Sequence, residues 1–178
     1  MQARQGAASK EMDYSRVYLI GFMGAGKTTV GLLLAEKLGW KFIDLDQEIE
    51  QCEHRRIAEI FERNGEPHFR RLEQQYLNEV ASVERAVIAL GGGTYVDSQN
   101  RALAEDTGLT VWLKVSFSEI ADRVKIDGTR PKFGNPDQAE RLLRSREPSY
   151  ALAKVQVSTD AKTPESVADE IMEVIWKS

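Results

Sequence analysis

The sequence holds a single cysteine, Cys52, so no disulfide can form within the chain, and a reducing compartment, the cytoplasm, is the expected setting. Cys52 lies in the polar stretch EQCEHRR without neighbours that would mark a nucleophile, and it reads as an incidental thiol. Histidine is scarce too: His54 and His68 sit among charged residues and receive no role. No apolar run approaches the roughly 20 residues that span a bilayer. Residues 1–13 have no apolar core of the kind a secretory signal needs, and are expected to be a frayed tail outside the fold. Basic stripes with interleaved aromatics are missing and the formal net charge is -4, which argues against nucleic acid as a partner. What remains is a globular composition, 42% hydrophobic over 178 residues, enough for one domain (14–178) and too little for two. The expected protein is a monomer with small-molecule partners, touching neither membrane nor nucleic acid.

Apolar runs alternate with amphipathic segments, the pattern of a parallel sheet covered by helices on both faces. Strands are expected at 17–20, 41–44, 86–90, 109–115 and 155–158, all rich in Val, Ile, Leu, Phe or Trp and bounded by Gly, Asp or Ser. Helical patterns fall at 27–38, 66–82, 98–105, 118–125 and 164–177. The first carries Val30, Leu33, Leu34 and Leu38 on one stripe and stops at Gly39, as a helix with a left-handed cap would. Residues 127–137, DGTRPKFGNPD, have little to bury and read as a loop free to act as a lid. Trp40, Trp112 and Trp176 lie in or beside apolar runs and are expected to pack.

The sharpest motif is GFMGAGKT, residues 21–28, between an apolar strand and an amphipathic helix. That context defines a phosphate-binding P-loop. Glycines let the backbone turn its N–H groups inward, and the positive end of the next helix faces the same point. Gly24, Ala25, Gly26, Lys27, Thr28 and Thr29 are the candidate nucleotide contacts. Lys27 supplies charge to the β and γ phosphates, and the Thr28 hydroxyl is suited to ligate magnesium.

Three further constellations bear on what the phosphate is used for. Asp44-Leu-Asp46 closes the second strand, and alternation along a strand would put both carboxylates on one side at the carboxyl edge of the sheet. One would serve magnesium and its waters, the other would take a proton from an attacking hydroxyl. A plainer reading makes Asp46 only the N-cap of a helix beginning at Gln47. Gly91-Gly92-Gly93 follows the third strand and permits a tight turn with exposed N–H groups, or is a plain connector. Arg70 and Arg146 are guanidinium forks suited to an anionic acceptor. Their plainer readings are a helical pair with Glu73 and a solvated surface charge. Arg130, beside Pro131, is a candidate for closing over the γ phosphate and excluding water.

Taken together, the P-loop, DLD, the GE..FR..E pattern (Gly65, Glu66, Phe69, Arg70, Glu73), VIALGGG, TRP and R.P.Y resemble the shikimate kinase family, in order, from about Tyr14 to the end. The resemblance implies a three-layer α/β/α P-loop fold with a five-stranded parallel sheet ordered 2-3-1-4-5. It implies an ATP-dependent transfer of the γ-phosphoryl group to the 3-hydroxyl of shikimate, with one magnesium ion per site. By analogy Asp46, Arg70, Gly92, Gly93 and Arg146 hold shikimate, with Lys27, Asp46 and Arg130 catalytic. Thr28 and Asp44 fall at the metal, Arg123 packs on adenine, and residues 160–164 also fall at the adenine. The chain departs from the family's usual pattern at His54 and Arg56, where glycine and a small hydroxyl residue are common, and at Lys132-Phe133 after the TRP element. Rival readings are a kinase for a nucleoside monophosphate or sugar acid, and a regulatory module that binds ATP without turnover.

Overall fold

A computed structural model describes residues 14–126 and 135–177. Five strands, β1 (Arg16–Ile20), β2 (Lys41–Asp44), β3 (Ala86–Ala89), β4 (Leu109–Lys114) and β5 (Val155–Ser158), form one sheet in the order β2-β3-β1-β4-β5. Every pairing is parallel. Eight α-helices cover it among the described residues, α1 (Lys27–Leu38), α2 (Leu45–Glu53), α3 (Ile57–Asn64), α4 (Glu66–Val80), α5 (Ser98–Thr107), α6 (Phe117–Ile126), α7 (Pro136–Tyr150) and α8 (Pro164–Lys177), with a short 3-10 helix at Thr94–Val96. The expected fold class and strand order are therefore those observed. No described helix is long and apolar enough to cross a membrane.

Parallel strands covered on both faces have no wet side, which is why β1, β3 and most of β4 are continuous apolar runs. Val17, Tyr18, Leu19, Val87, Ile88 and Val111 are fully buried. On α1 the buried stripe is Val30, Gly31, Leu34 and Ala35, with Leu33 and Leu38 only partly buried at its margin. Gly39 ends that helix at φ 65°, the left-handed cap that the sequence predicts. Trp40 and Trp112 pack into the core as expected, whereas Trp176 does not: Ile175 takes the inward position, and the next residue, one step of about 100° around the helix, stays 40% exposed.

Two local readings of the sequence need correction. The second strand ends at Asp44, and Asp46 lies in the first turn of α2, so strand alternation does not relate the two carboxylates. Asp44 is the N-cap, its Oδ1 accepting the N–H groups of Asp46 (3.1 Å) and Gln47 (3.3 Å), which leaves the Asp46 side chain free of capping. The other correction is α7, a fifteen-residue helix where the sequence suggested only the tail of a loop. Asn-Pro reads as a turn, but Asn135 caps the helix through the Asp137 N–H (2.9 Å) and Pro136 occupies its first position, where no N–H is missed. The remainder of the predicted loop, 127–134, lies outside the described residues, as do residues 1–13.

The α2–α3 connection is tight. His54 caps α2 in the left-handed region at φ 52°, with its own N–H and that of Arg55 returned to the carbonyls of Gln51 and Glu50. Arg56 stands at the N-cap of α3 without a capping side-chain bond; Glu50 reaches across from α2 and accepts the Ile57 N–H at 2.9 Å. A side chain in the left-handed region is strained. The variant His54→Gly is accordingly expected to raise stability by about 0.5–1 kcal/mol, read as a higher urea midpoint at unchanged slope.

Candidate active site

β1 is flanked by β3 on one side and β4 on the other, so the loop after β1 opens where the strand order turns, at the carboxyl edge of the sheet. Gly24 and Gly26 take φ of 78° and 90°, which curls the loop over the start of α1. The first turn of that helix carries no acidic residue, leaving its positive end to an external anion. The Lys27 ammonium lies in the curl and donates to the carbonyls of Gly21 (2.8 Å) and Phe22 (3.0 Å). Beside it the Thr28 hydroxyl donates to Asp44 Oδ2 at 2.8 Å.

The loop is one wall of a cavity of about 1200 Å³. Gly24, Ala25, Gly26, Lys27, Thr28 and Thr29 line it, and so do Asp44, Asp46, Arg70, Gly92, Gly93, Arg123 and Arg146. Every candidate residue named from the sequence is thus brought to one cavity, except Arg130, which lies outside the described residues. Arg123 stands at the far end from Asp46's helix. Its guanidinium donates to Glu119 Oε1 (3.2 Å) and to the carbonyls of Gly24 (3.2 Å) and Thr159 (2.8 Å), and Lys162 and Pro164 complete that end.

At the opposite end the three glycines after β3 are a meeting point rather than a connector. A Cβ on Gly91 would lie 2.6 Å from Asp46 Oδ1 and 2.9 Å from Thr94 Oγ1. On Gly92 it would come within 3.1 Å of Arg146 Nη1, and on Gly93 it would overlap the Arg70 guanidinium. The missing side chains are what allow a carboxylate and two guanidinium groups to reach one turn of backbone.

Arg70 does pair with its helical neighbour, as the plainer reading has it, yet the pair is no surface ornament. Glu73 is 1% exposed and receives Arg70 Nη1 at 2.5 Å through one oxygen and the Thr94 hydroxyl at 2.5 Å through the other. Glu66 takes two more of its donors, Nη2 at 2.8 Å and Nε at 3.1 Å, leaving one N–H on each of Nη1 and Nη2. Arg146 is half-buried rather than a solvated charge. It stacks over the buried Phe22 ring at 5.9 Å, one residue into the phosphate loop. One helical turn on, Tyr150 donates to the Gly92 carbonyl at 2.5 Å, and burial pushes its phenol up to about 12, which keeps it a donor at neutral pH. Glu73, Phe22 and Tyr150 were not singled out as site residues by sequence reasoning. Each stands inside a motif that was: Glu73 and Tyr150 one helical turn from Arg70 and Arg146, and Phe22 within the phosphate loop, where no spacing signal points to Arg146.

Burial first, and neighbouring charge second, sets the protonation of the central groups. Burial lifts the Asp46 carboxyl to about 6, helped by the like charges of Asp44 and Glu73 and opposed by Lys27. Burial lowers Lys27 to about 8, Arg146 adding to the fall while Asp46 and Asp44 oppose it. Near pH 7 the site therefore holds an ammonium and a carboxylate poised close to neutrality, the property of a working base.

A parallel sheet in this order, with a lysine-bearing glycine loop and two arginines lining one cavity, is the architecture of a P-loop kinase acting on a small molecule. The family model described as shikimate kinase matches residues 23–176. Shikimate kinase of a Sulfurihydrogenibium species is 41% identical over 157 residues, spanning 88% of this chain and 95% of the relative. The enzyme of Gloeobacter violaceus is 45% identical over 160 residues, 88% and 89% of the two chains. Among solved structures, shikimate kinase from Acinetobacter baumannii in complex with shikimate superposes with a TM-score of 0.85 at 38% identity, covering 93% of this chain and 95% of that one. The chain belongs to the shikimate kinase family.

The proximity of Asp44, Asp46 and Lys27 has a measurable sign. In a carboxyl NMR titration, Asp46 is expected near 6; Asp44→Asn removes a like charge and should lower it, and Lys27→Met removes the opposing cation and should raise it. Identical midpoints in all three proteins would contradict this arrangement.

Proposed function

We propose that this chain transfers the γ-phosphoryl group of ATP to the 3-hydroxyl of shikimate, giving shikimate 3-phosphate and ADP. The observation that supports it above others is the shared cavity, lined by Lys27 at the phosphate loop and by Asp46, Arg70 and Arg146 gathered at the glycine turn after β3. A polyhydroxy carboxylate matches that end of the site. Guanidinium forks take its carboxylate by parallel hydrogen bonds, and a carboxylate between them is free to accept from ring hydroxyls.

In the reaction a shikimate oxygen forms a bond to the γ-phosphorus as the bridging oxygen on the ADP side leaves. The hydroxyl proton passes to the Asp46 carboxylate. Because the transition state for such transfers is loose, positioning and charge neutralisation supply most of the rate. Lys27, displaced from its loop carbonyls, neutralises the β and γ phosphates. Arg70 and Arg146 fix the acceptor, and Glu73 holds Arg70 in its rotamer. Arg123 lies at the adenine end, and Arg130 is assigned the closing role over the γ-phosphate on sequence grounds.

The donor set around Thr28 and Asp44 is all oxygen, a hydroxyl and a carboxylate 2.8 Å apart, which fits a magnesium ion that keeps waters and phosphate oxygens as its other ligands. Thr28, with Asp44 through water, would hold such an ion, which would supply positive charge to the polyphosphate.

The test is ADP release with and without shikimate, with the product identified by mass and phosphorus NMR. Strong stimulation by shikimate is expected; stimulation by a nucleoside monophosphate instead, or by no acceptor, would overturn the proposal. Replacing Arg70 or Arg146 with Ala should weaken shikimate binding by about 2–5 kcal/mol while ATP affinity barely moves. Lys27→Ala should abolish transfer with an unchanged circular dichroism spectrum.

A further inference from the structure

Arg56 breaks a local rule. The N-cap of a helix favours Ser, Thr, Asp or Asn, and the positive end of the helix disfavours a cation. Here an arginine stands at that position, caps nothing, and leaves the work to Glu50 of α2. Its exposed guanidinium makes no ion pair or hydrogen bond among the described residues. It also lines the 1200 Å³ cavity at the same end as Ile57, Phe69 and Arg70, and continues into a shallow outer groove of about 580 Å³ beside His54 and Arg55. Departures from local preference collect at functional positions, and an unpaired cation at the mouth of an anion-holding site has an evident use.

We propose that Arg56 is a specificity-determining residue for the acceptor: an unpaired cation at the cavity mouth that draws in the anionic acceptor before Arg70 and Arg146 grip it. The inference rests on the function proposed above. Arg70 is tied to Glu66 and Glu73 and Arg146 sits against Phe22, and both are partly buried, whereas Arg56 is exposed. A rim charge acts on capture more than on the chemical step, and its action is screened by salt.

The experiment compares the parent chain with Arg56→Ser, Arg56→Lys and Arg55→Ser, measuring kcat and KM for shikimate and for ATP at ionic strengths from about 0.01 M to about 0.15 M, over which the screening length falls from about 30 Å to about 8 Å. For Arg56→Ser the expected result is a rise of about threefold to tenfold in KM for shikimate at low salt, a flatter salt dependence, and an unchanged KM for ATP, with kcat within about twofold. Arg56→Lys keeps the charge and should stay close to the parent. Arg55 lines only the outer groove, and Arg55→Ser should behave as the parent does. Serine is the better cap, so the melting temperature of Arg56→Ser should hold or rise, which separates capture from folding.

An Arg56→Ser protein with the parent's KM and salt dependence overturns the inference alone. So does an Arg56→Lys protein as impaired as Arg56→Ser, which would make shape rather than charge the cause, or an Arg55→Ser protein equally impaired, which would make it a general surface field. A parent chain that fails to phosphorylate shikimate overturns the reading beneath it.

Discussion

Lys27, Arg70 and Arg146 share one cavity although like charges repel, and two of the three have carboxylates set beside them. Lys27 faces Asp46 and Asp44, while Arg70 is tied to a carboxylate that is almost wholly removed from water. Both Glu73 oxygens are satisfied, one by Arg70 and the other by the Thr94 hydroxyl, as a buried polar group requires. Burial is what chiefly raises the Asp46 carboxyl; Asp44 and Glu73 press in the same direction and Lys27 opposes them.

The fold delivers these groups with little latitude. Parallel strands place the loops after β1 and β3 and the cap of α2 along one edge, and the glycine run after β3 then sets how near the side chains from α2, α4 and α7 can come. The acceptor end thus depends on three residues that contribute no side chain at all.

Much of this was legible in the sequence, for reasons that differ from element to element. Buried parallel strands are apolar throughout, so their positions and the Gly39 stop could be read directly, as could the phosphate loop between strand and helix. The acceptor end was harder. Asp44 and Asp46 converge, but through a helix cap rather than strand alternation, because a helix that begins one residue after the strand erases the period of two. Helix α7 was hidden by Asn135 and Pro136, whose turn chemistry and capping chemistry look alike, and by Pro148, which a helix interior rarely tolerates. Nor does the chain announce that Glu73 is buried: that follows from Thr94 arriving over it from a loop far along the sequence. Ion pairs at helical spacing are usually surface features, and burial is a tertiary fact.

Asp46, Arg56, Arg70 and Glu73 all fall between β2 and β3, whereas Arg146 comes from α7 and leans on Phe22 of the phosphate loop. The acceptor end is therefore a transplantable cassette with one fixed tooth. Exchanging the β2–β3 insert for that of another kinase would change most of what the site recognises, but the guanidinium lodged against the nucleotide cradle would stay behind. With Arg146 in the acid-binding role proposed above, chimeras built on this scaffold would inherit a taste for acids, and retargeting them to neutral alcohols would require editing the wall where Arg146 meets Phe22.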